Sequence, residues 1–236
     1  MNEVVVFSSC TAAKDDSVPV GGPRVEPSAY VGEARLLREL LRTRHEVLSL
    51  PETKTGVRET YAFDLYVRKG RMYGALYADQ YQQLKQALVQ QSVPVQWFFL
   101  SGGYGIVHAL EPVRSYRATF DAGIARQNGI PCTAKIFNPI LSEICGNIMA
   151  RHPGCSVYVF GSQAYTRFIK TVTGDTAIKI FEGSVRGGNQ LSPVLAEFVR
   201  ALLSGQLASF DERYPDRFVK LDRESGRSHR SRKGGE

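Results

Sequence analysis

Cysteine is scarce in this chain and carries no pattern. Its four residues, Cys10, Cys132, Cys145 and Cys155, show no CxxC spacing. Its absence suggests neither a zinc site nor a disulfide framework. No metal and no cofactor is expected. Long apolar runs are missing as well, since nothing approaches the roughly 18 residues that a membrane-spanning helix needs. The opening MNEVVVFSSC has no basic segment ahead of its short apolar stretch, and a secretory signal would need both. These absences predict a cytoplasmic protein with reduced thiols and no membrane partner. No internal repeat and no interdomain linker interrupts the chain.

What is present is ordinary in bulk and unusual in charge. The 236 residues, 43% hydrophobic and 22% charged, suit one large soluble domain or two small ones. The net charge of +7 and pI near 9.3 favour a polyanionic partner. Part of that excess sits in Arg223, Arg227, Arg230, Arg232 and Lys233, among Ser and Gly with no apolar anchor. Residues 1–210 therefore read as a single α/β domain and 211–236 as a basic, disordered tail. The tail is either a solvated end or a non-specific phosphate tether. Arg114, Arg117, Arg126 and Lys135 form a second basic group within the domain.

Three short runs of β-branched and aromatic residues stop at small polar ones. Val4–Phe7 ends in Ser8-Ser9-Cys10, Trp97–Leu100 in Ser101-Gly102-Gly103, and Val157–Phe160 in Gly161-Ser162-Gln163. Each reads as a buried strand, and helical patterns lie between them. This predicts an α/β fold with a mostly parallel central sheet flanked by helices. In such sheets ligands sit beyond the carboxyl ends of the strands, so the three small-residue ends point to one shared pocket. Helices are expected at Glu33–Thr43, Gln80–Gln91 (capped by Asp79), Ile136–Arg151, Ala164–Thr171 and Pro193–Leu203 (capped by Ser192). Further strands are expected at Glu46–Leu50, Ala118–Phe120 and Ala177–Phe181. The aromatic stretch Ala62–Ala78 suggests a hairpin or an irregular excursion, and the loop Thr11–Pro27 covers the ligand edge.

The segment WFFLSGGYGIVHALEPVRSYR, residues 97–117, is the most informative. Three glycines around Tyr104 permit a tight turn and close backbone approach to a ligand. Tyr104 then offers a flat face to a planar molecule, unless it packs inward as a plain turn residue.

Several of these elements together resemble the YaaA-type peroxide-stress proteins. They are Tyr73…Leu76, LSGGYGIV, Leu110-Glu111-Pro112…Tyr116-Arg117, and Gly161-Ser162-Gln163-Ala164-Tyr165, with Ser8-Ser9-Cys10…Lys14 similar in placement to an N-terminal element. The order matches over residues 60–172. The Thr11–Pro27 loop departs from the pattern, and no counterpart of that family's helix-hairpin-helix segment is found. The resemblance implies an α/β fold with DNA-binding character. It also implies kinship to small DNA glycosylases, including a phage-defence branch that excises glucosylated hydroxymethylcytosine.

Cleaving an N-glycosidic bond develops positive charge on the sugar and negative charge on the leaving base. The target must also be flipped out and held against apolar faces. Tyr104 is the stacking candidate, with Gly102 and Gly103 as backbone donors. Ser8, Ser9, Cys10, Ser101, Tyr116, Ser162, Gln163 and Tyr165 complete a base- and sugar-binding set. The N-terminus of the helix after Ser162 suits a phosphate or sugar hydroxyl. For the acid, Asp121 stands first, Asp64 second, and Asp15 or Asp16 third, although each taken singly reads first as a surface acid or cap. Lys14, Arg114, Arg117 and Arg126 are the candidates for gripping DNA, against the alternative that they are solvated. Lys14 is also a candidate Schiff-base nucleophile. His108 is a candidate acid ranked below the carboxylates, and Asn128-Gly129 reads first as a turn. A non-catalytic DNA-binding stress protein and a nucleoside or nucleotide N-glycosidase remain as alternatives.

Overall fold

The computed structural model describes residues 3–172, 177–184 and 188–221. In chain order, β1 (Val4–Ser9) leads through a long loop to α1 (Pro27–Tyr30) and α2 (Ala34–Leu48). β2 (Glu59–Tyr61), α3 (Ala62–Val67), α4 (Gly74–Asp79) and α5 (Tyr81–Gln90) follow. β3 (Val95–Ser101), β4 (Gly105–His108) and β5 (Pro112–Arg114) come next, then α6 (Ala122–Asn128) and α7 (Ala134–Ala150). The last third holds β6 (Ser156–Ser162), α8 (Gln163–Lys170), β7 (Ile178–Gly183), α9 (Gly188–Leu203), α10 (Leu207–Arg213) and β8 (Phe218–Leu221).

Six strands form the central sheet in the order β4-β3-β1-β6-β7-β8, and β2 pairs with β5 in a small antiparallel ribbon. All neighbours in the main sheet are parallel except β3 and β4. The fold is α/β, as the alternation of apolar runs with helical patterns implies. From β1 the chain builds outward to β3 and β4, then returns to the other side of β1 for β6, β7 and β8. The direction of winding reverses between β1 and β6, which makes that crevice the topological switch point.

Side chains alternate across the sheet with period two. Trp97, Tyr158 and Phe160 share a face, and Phe198 of α9 packs on all three. Phe7 and Phe98 point the opposite way, where Tyr30 of α1 meets Phe98. On their respective sides, α2 packs on α7 and α7 on α8, while α9 meets α4, α5 and α10.

Several expected boundaries move. The strand expected at Glu46–Leu50 is the end of α2, because Leu36, Leu40 and Val47 keep one buried helical stripe up to Leu48. Ala62–Ala78 is neither hairpin nor irregular. It forms α3, a 3₁₀ turn at Arg71–Tyr73, and α4, with all of Ala62–Val67 buried and no period-two alternation. Ala118–Phe120 contributes only an isolated bridge, Thr119 to Cys132. Asp79 ends α4 and leaves the cap of α5 to Gln80. Ser192 lies inside α9, where its Oγ accepts from the Ala75 amide at 2.9 Å. The folded domain also runs beyond residue 210, since α10 spans that point and β8 extends the sheet in parallel beside β7. The basic residues from Arg223 onward lie outside the described residues. Among the described residues no helix is long and apolar enough to cross a membrane.

Candidate functional site

The carboxyl ends of β3, β1 and β6 lie side by side, and Cys10 stands between them. Its amide donates to the Leu100 carbonyl at 2.8 Å. Because Ser8 pairs with Phe160, Cys10 reaches the level of Ser162 two residues further on. Its Sγ lies 3.6 Å from the Tyr165 hydroxyl of α8, across the switch point.

Around it sits a small network of hydroxyls. Ser101 Oγ is 2.7 Å from the Tyr116 hydroxyl and 3.1 Å from that of Tyr66, and the two phenols are 3.2 Å apart. The Tyr104 amide donates to the same serine oxygen at 3.1 Å. The Tyr165 hydroxyl lies 3.0 Å from Thr119 Oγ1. Tyr73 donates to the Ser9 carbonyl at 2.6 Å. Burial raises the pKa of Tyr66, Tyr73, Tyr116 and Tyr165 well above the ordinary phenol value. These groups therefore stay protonated and able to donate.

Lys14 reaches into this network from the first loop. Its Nζ stands 4.1 Å over the Tyr116 ring and donates to the Thr11 carbonyl at 3.0 Å. Among the described residues it forms no ion pair. Burial lowers its pKa, opposed by the nearby Cys10 thiol. An ordinary solvated loop lysine would not show that shift.

Of the residues picked from the sequence, the fold thus brings together Cys10, Lys14, Ser101, Tyr116 and Tyr165. Ser162 closes β6 half-buried beside Cys10, and Gln163 opens α8 exposed. Ser9 lies at the edge, its hydroxyl 3.6 Å from Met72 Sδ. Ser8 points to the opposite face and accepts from the Trp97 indole at 2.9 Å, so it belongs to the core. Tyr66 and Thr119 were missed, because a tyrosine in an aromatic helix and a threonine in a loop carry no local mark.

The glycine loop is the main surprise. Tyr104 is 8% exposed, packs edge-on against Tyr116, and bonds the Arg114 main chain through its hydroxyl at 2.8 Å and 3.3 Å. It supports the network from behind. A Cβ on Gly103 would stand 2.6 Å from the Tyr116 ring, and one on Gly102 2.5 Å from Thr119 Cα. These glycines admit residues 116–119 to close contact. The loop is also tied down by Arg44 of α2, a buried guanidinium that donates to the Tyr104 carbonyl at 2.8 Å and pairs with Glu111 at 2.6 Å. Gly105, at φ +72°, makes the turn into β4.

The carboxylates are occupied elsewhere. Asp121 Oδ1 caps α6 by accepting from the Ile124 amide at 2.8 Å. Asp64 is fully buried between Lys85, at 2.7 Å, and the Tyr81 hydroxyl. Asp15 faces Arg68 and Lys69, and Asp16 accepts from Ser115 at 2.8 Å. Burial lowers the pKa of His108 to about 4, and its Nδ1 accepts from the Leu110 amide at 3.1 Å, so it is a neutral structural group. Asn128 is the last residue of α6, with Gly129 in the left-handed conformation after it. Arg114 pairs with Glu59 at 3.6 Å, while Arg117 and Arg126 are exposed.

A cleft of about 270 Å³ opens at the amino ends of β6 and β7. Its lysine, tyrosine and aspartate already pair with one another, Lys179 and Tyr158 both on Asp211 at 2.6 Å and 2.8 Å. The network at the switch point contains the unpaired amine and is the stronger candidate.

Fold and site together define the class: a doubly wound α/β protein with a tyrosine-rich polar site at its switch point. No family model matches the sequence, and no curated protein matches it significantly.

Proposed function

We propose that this protein is a DNA N-glycosylase that removes a modified base, with glucosylated hydroxymethylcytosine of phage DNA as the first candidate. The observation that carries this reading is the gathering of Tyr66, Tyr116, Tyr165, Ser101, Thr119 and Cys10 around the Lys14 amine at the switch point. Neutral donors in a buried site suit the negative charge that develops on a departing base. Several hydroxyls also suit a substrate with hydroxyls of its own. The positive net charge supports a phosphate-bearing partner. The loop from Thr11 to Ser17 lies over the network, held by the Asp15 amide on the Leu65 carbonyl at 3.0 Å and by Arg68 on Asp15. Substrate entry requires it to shift.

The test incubates the protein with duplex and single-stranded DNA carrying natural cytosine modifications, the glucosylated form included, and with the matching free nucleosides. Released bases are measured by mass spectrometry. Release from DNA alone is expected, with Tyr116→Phe and Tyr165→Phe strongly slowed. Release from nucleosides alone would make the protein a nucleosidase. DNA binding with no release from any substrate would leave a binding protein.

A further inference from the structure

We infer that Lys14 is the nucleophile of this site, attacking C1′ of the flipped nucleotide and passing through an imine with the sugar. The inference rests on the glycosylase reading and adds the residue and the intermediate to it.

The argument begins with how this lysine differs from the rest. Lys69, Lys85, Lys170 and Lys179 each face a carboxylate. Lys54, Lys135 and Lys220 are exposed. Lys14 alone among the described lysines turns its amine inward without a counter-ion. An ammonium removed from water without an anion to balance it is disfavoured, so the balance shifts towards the free amine. The Tyr116 ring, 4.1 Å from Nζ, and the Thr11 carbonyl, which accepts one Nζ–H at 3.0 Å, fix its direction, and neither holds the proton on the amine as strongly as a carboxylate partner would.

The second part is elimination. Retaining an acid–water mechanism would need a carboxylate at the network. Asp64 and Asp15 are committed to cations, Asp16 to Ser115, and Asp121 to the first turn of α6. Among the described residues, the amine is the one basic group placed with the phenols.

The step balances without an external reagent. The Lys14 lone pair forms the N–C1′ bond as the C1′–base bond breaks, and the amine proton ends on the departing base. The nitrogen lone pair then opens the C1′–O4′ bond, O4′ takes a proton from solvent, and an iminium remains. Water returns the free amine and leaves an abasic sugar. Loss of a C2′ proton instead expels the 3′-phosphate and cuts the strand.

The test uses full-length protein and duplex DNA with one abasic site, which presents the same C1′ aldehyde whatever base the enzyme prefers. Sodium borohydride delivers hydride to an iminium and makes the link permanent. Wild-type protein should form a covalent adduct, mapped to Lys14 by peptide mass spectrometry. Lys14→Arg, which keeps the charge over Tyr116, and Lys14→Met should both lose it while melting like wild type. The trapping rate should be half-maximal at a pH below the ordinary lysine range, which a merely structural lysine would not produce. No adduct from wild type, or equal adduct from both variants, overturns the inference. Base release without an adduct leaves the glycosylase standing and removes the lysine. An adduct on abasic DNA, with no base released from any modified duplex, supports the amine and removes the glycosylase.

Discussion

Tyr104 and Asp121 show how one side chain's surroundings decide between two plausible jobs. A tyrosine ringed by glycines suggests a ligand wall, yet this ring is packed against Tyr116 and its hydroxyl serves the Arg114 main chain. Tyr104→Ala should therefore cost about 3–5 kcal/mol, the usual range for emptying a large aromatic site. Any lost activity should return in proportion to the folded fraction. Asp121 offers the converse case. Asparagine caps a helix as well as aspartate, so Asp121→Asn should leave melting temperature and base release nearly unchanged. Asp121→Ala should cost about 1 kcal/mol through the lost cap. Thermal melts and turnover on the same samples check both residues. A collapse of turnover in a well-folded Asp121→Asn protein would restore the carboxylate mechanism.

At the level of elements, the β3–β4 hairpin is the piece that α1 and α2 hold in place. Arg44, Tyr30 and Glu111 form one buried cluster against it, with Tyr30 donating to Glu111 at 2.7 Å. His108 ends β4 beside this cluster, its ring edge-on to Phe98. Its folded pKa, about 4, lies below the unfolded value near 6.5. The unfolded state thus binds the proton first, and the stability contributed by the neutral ring is present above about pH 6.5. It is lost as pH falls towards 4, by at most about 3 kcal/mol. Protonation would also abolish the Nδ1 acceptor that the Leu110 amide uses. His108→Asn keeps an acceptor there and removes the titration, so its melting temperature should fall less steeply between pH 7 and 4. Identical slopes would show that the acid limb arises elsewhere.

The whole molecule carries its excess charge on two supports, a folded domain and the segment after Leu221. Counter-ion release makes any phosphate-gripping surface salt-sensitive. Affinity for DNA should fall linearly on a log–log plot against salt, and removing residues 223–236, with their five basic side chains, should flatten the slope. At saturating DNA the truncated protein should release base as fast as the full chain, because every residue of the proposed site, from Cys10 to Tyr165, precedes the removed segment. Affinity insensitive to salt would count against a phosphate surface altogether.

The architecture was legible because strands and helices announce themselves over a few residues, the strands as short β-branched and aromatic runs bounded by small polar residues and the helices through their 3.6-residue period. Val4–Phe7, Trp97–Leu100 and Val157–Phe160 needed no partner to be recognised, and their small polar ends marked the carboxyl edge of the sheet. Ala62–Ala78 resisted because its first six residues, Ala62–Val67, are buried on every side, which erases the period. The site was legible only in part. Strand pairing sent Ser8 onto Trp97 and left Cys10 at the carboxyl ends of the strands, and no local pattern states which strands pair. Tyr66 entered the network from a helix with no functional mark, and Lys14 turned inward from a loop that reads as solvated. The contact between Cys10 and Tyr165 joins residues 155 positions apart and depends on strand order. Short-range sterics and apolar spacing are written in the sequence one segment at a time, whereas the meeting of amine, thiol and phenols exists only once the sheet has chosen its neighbours.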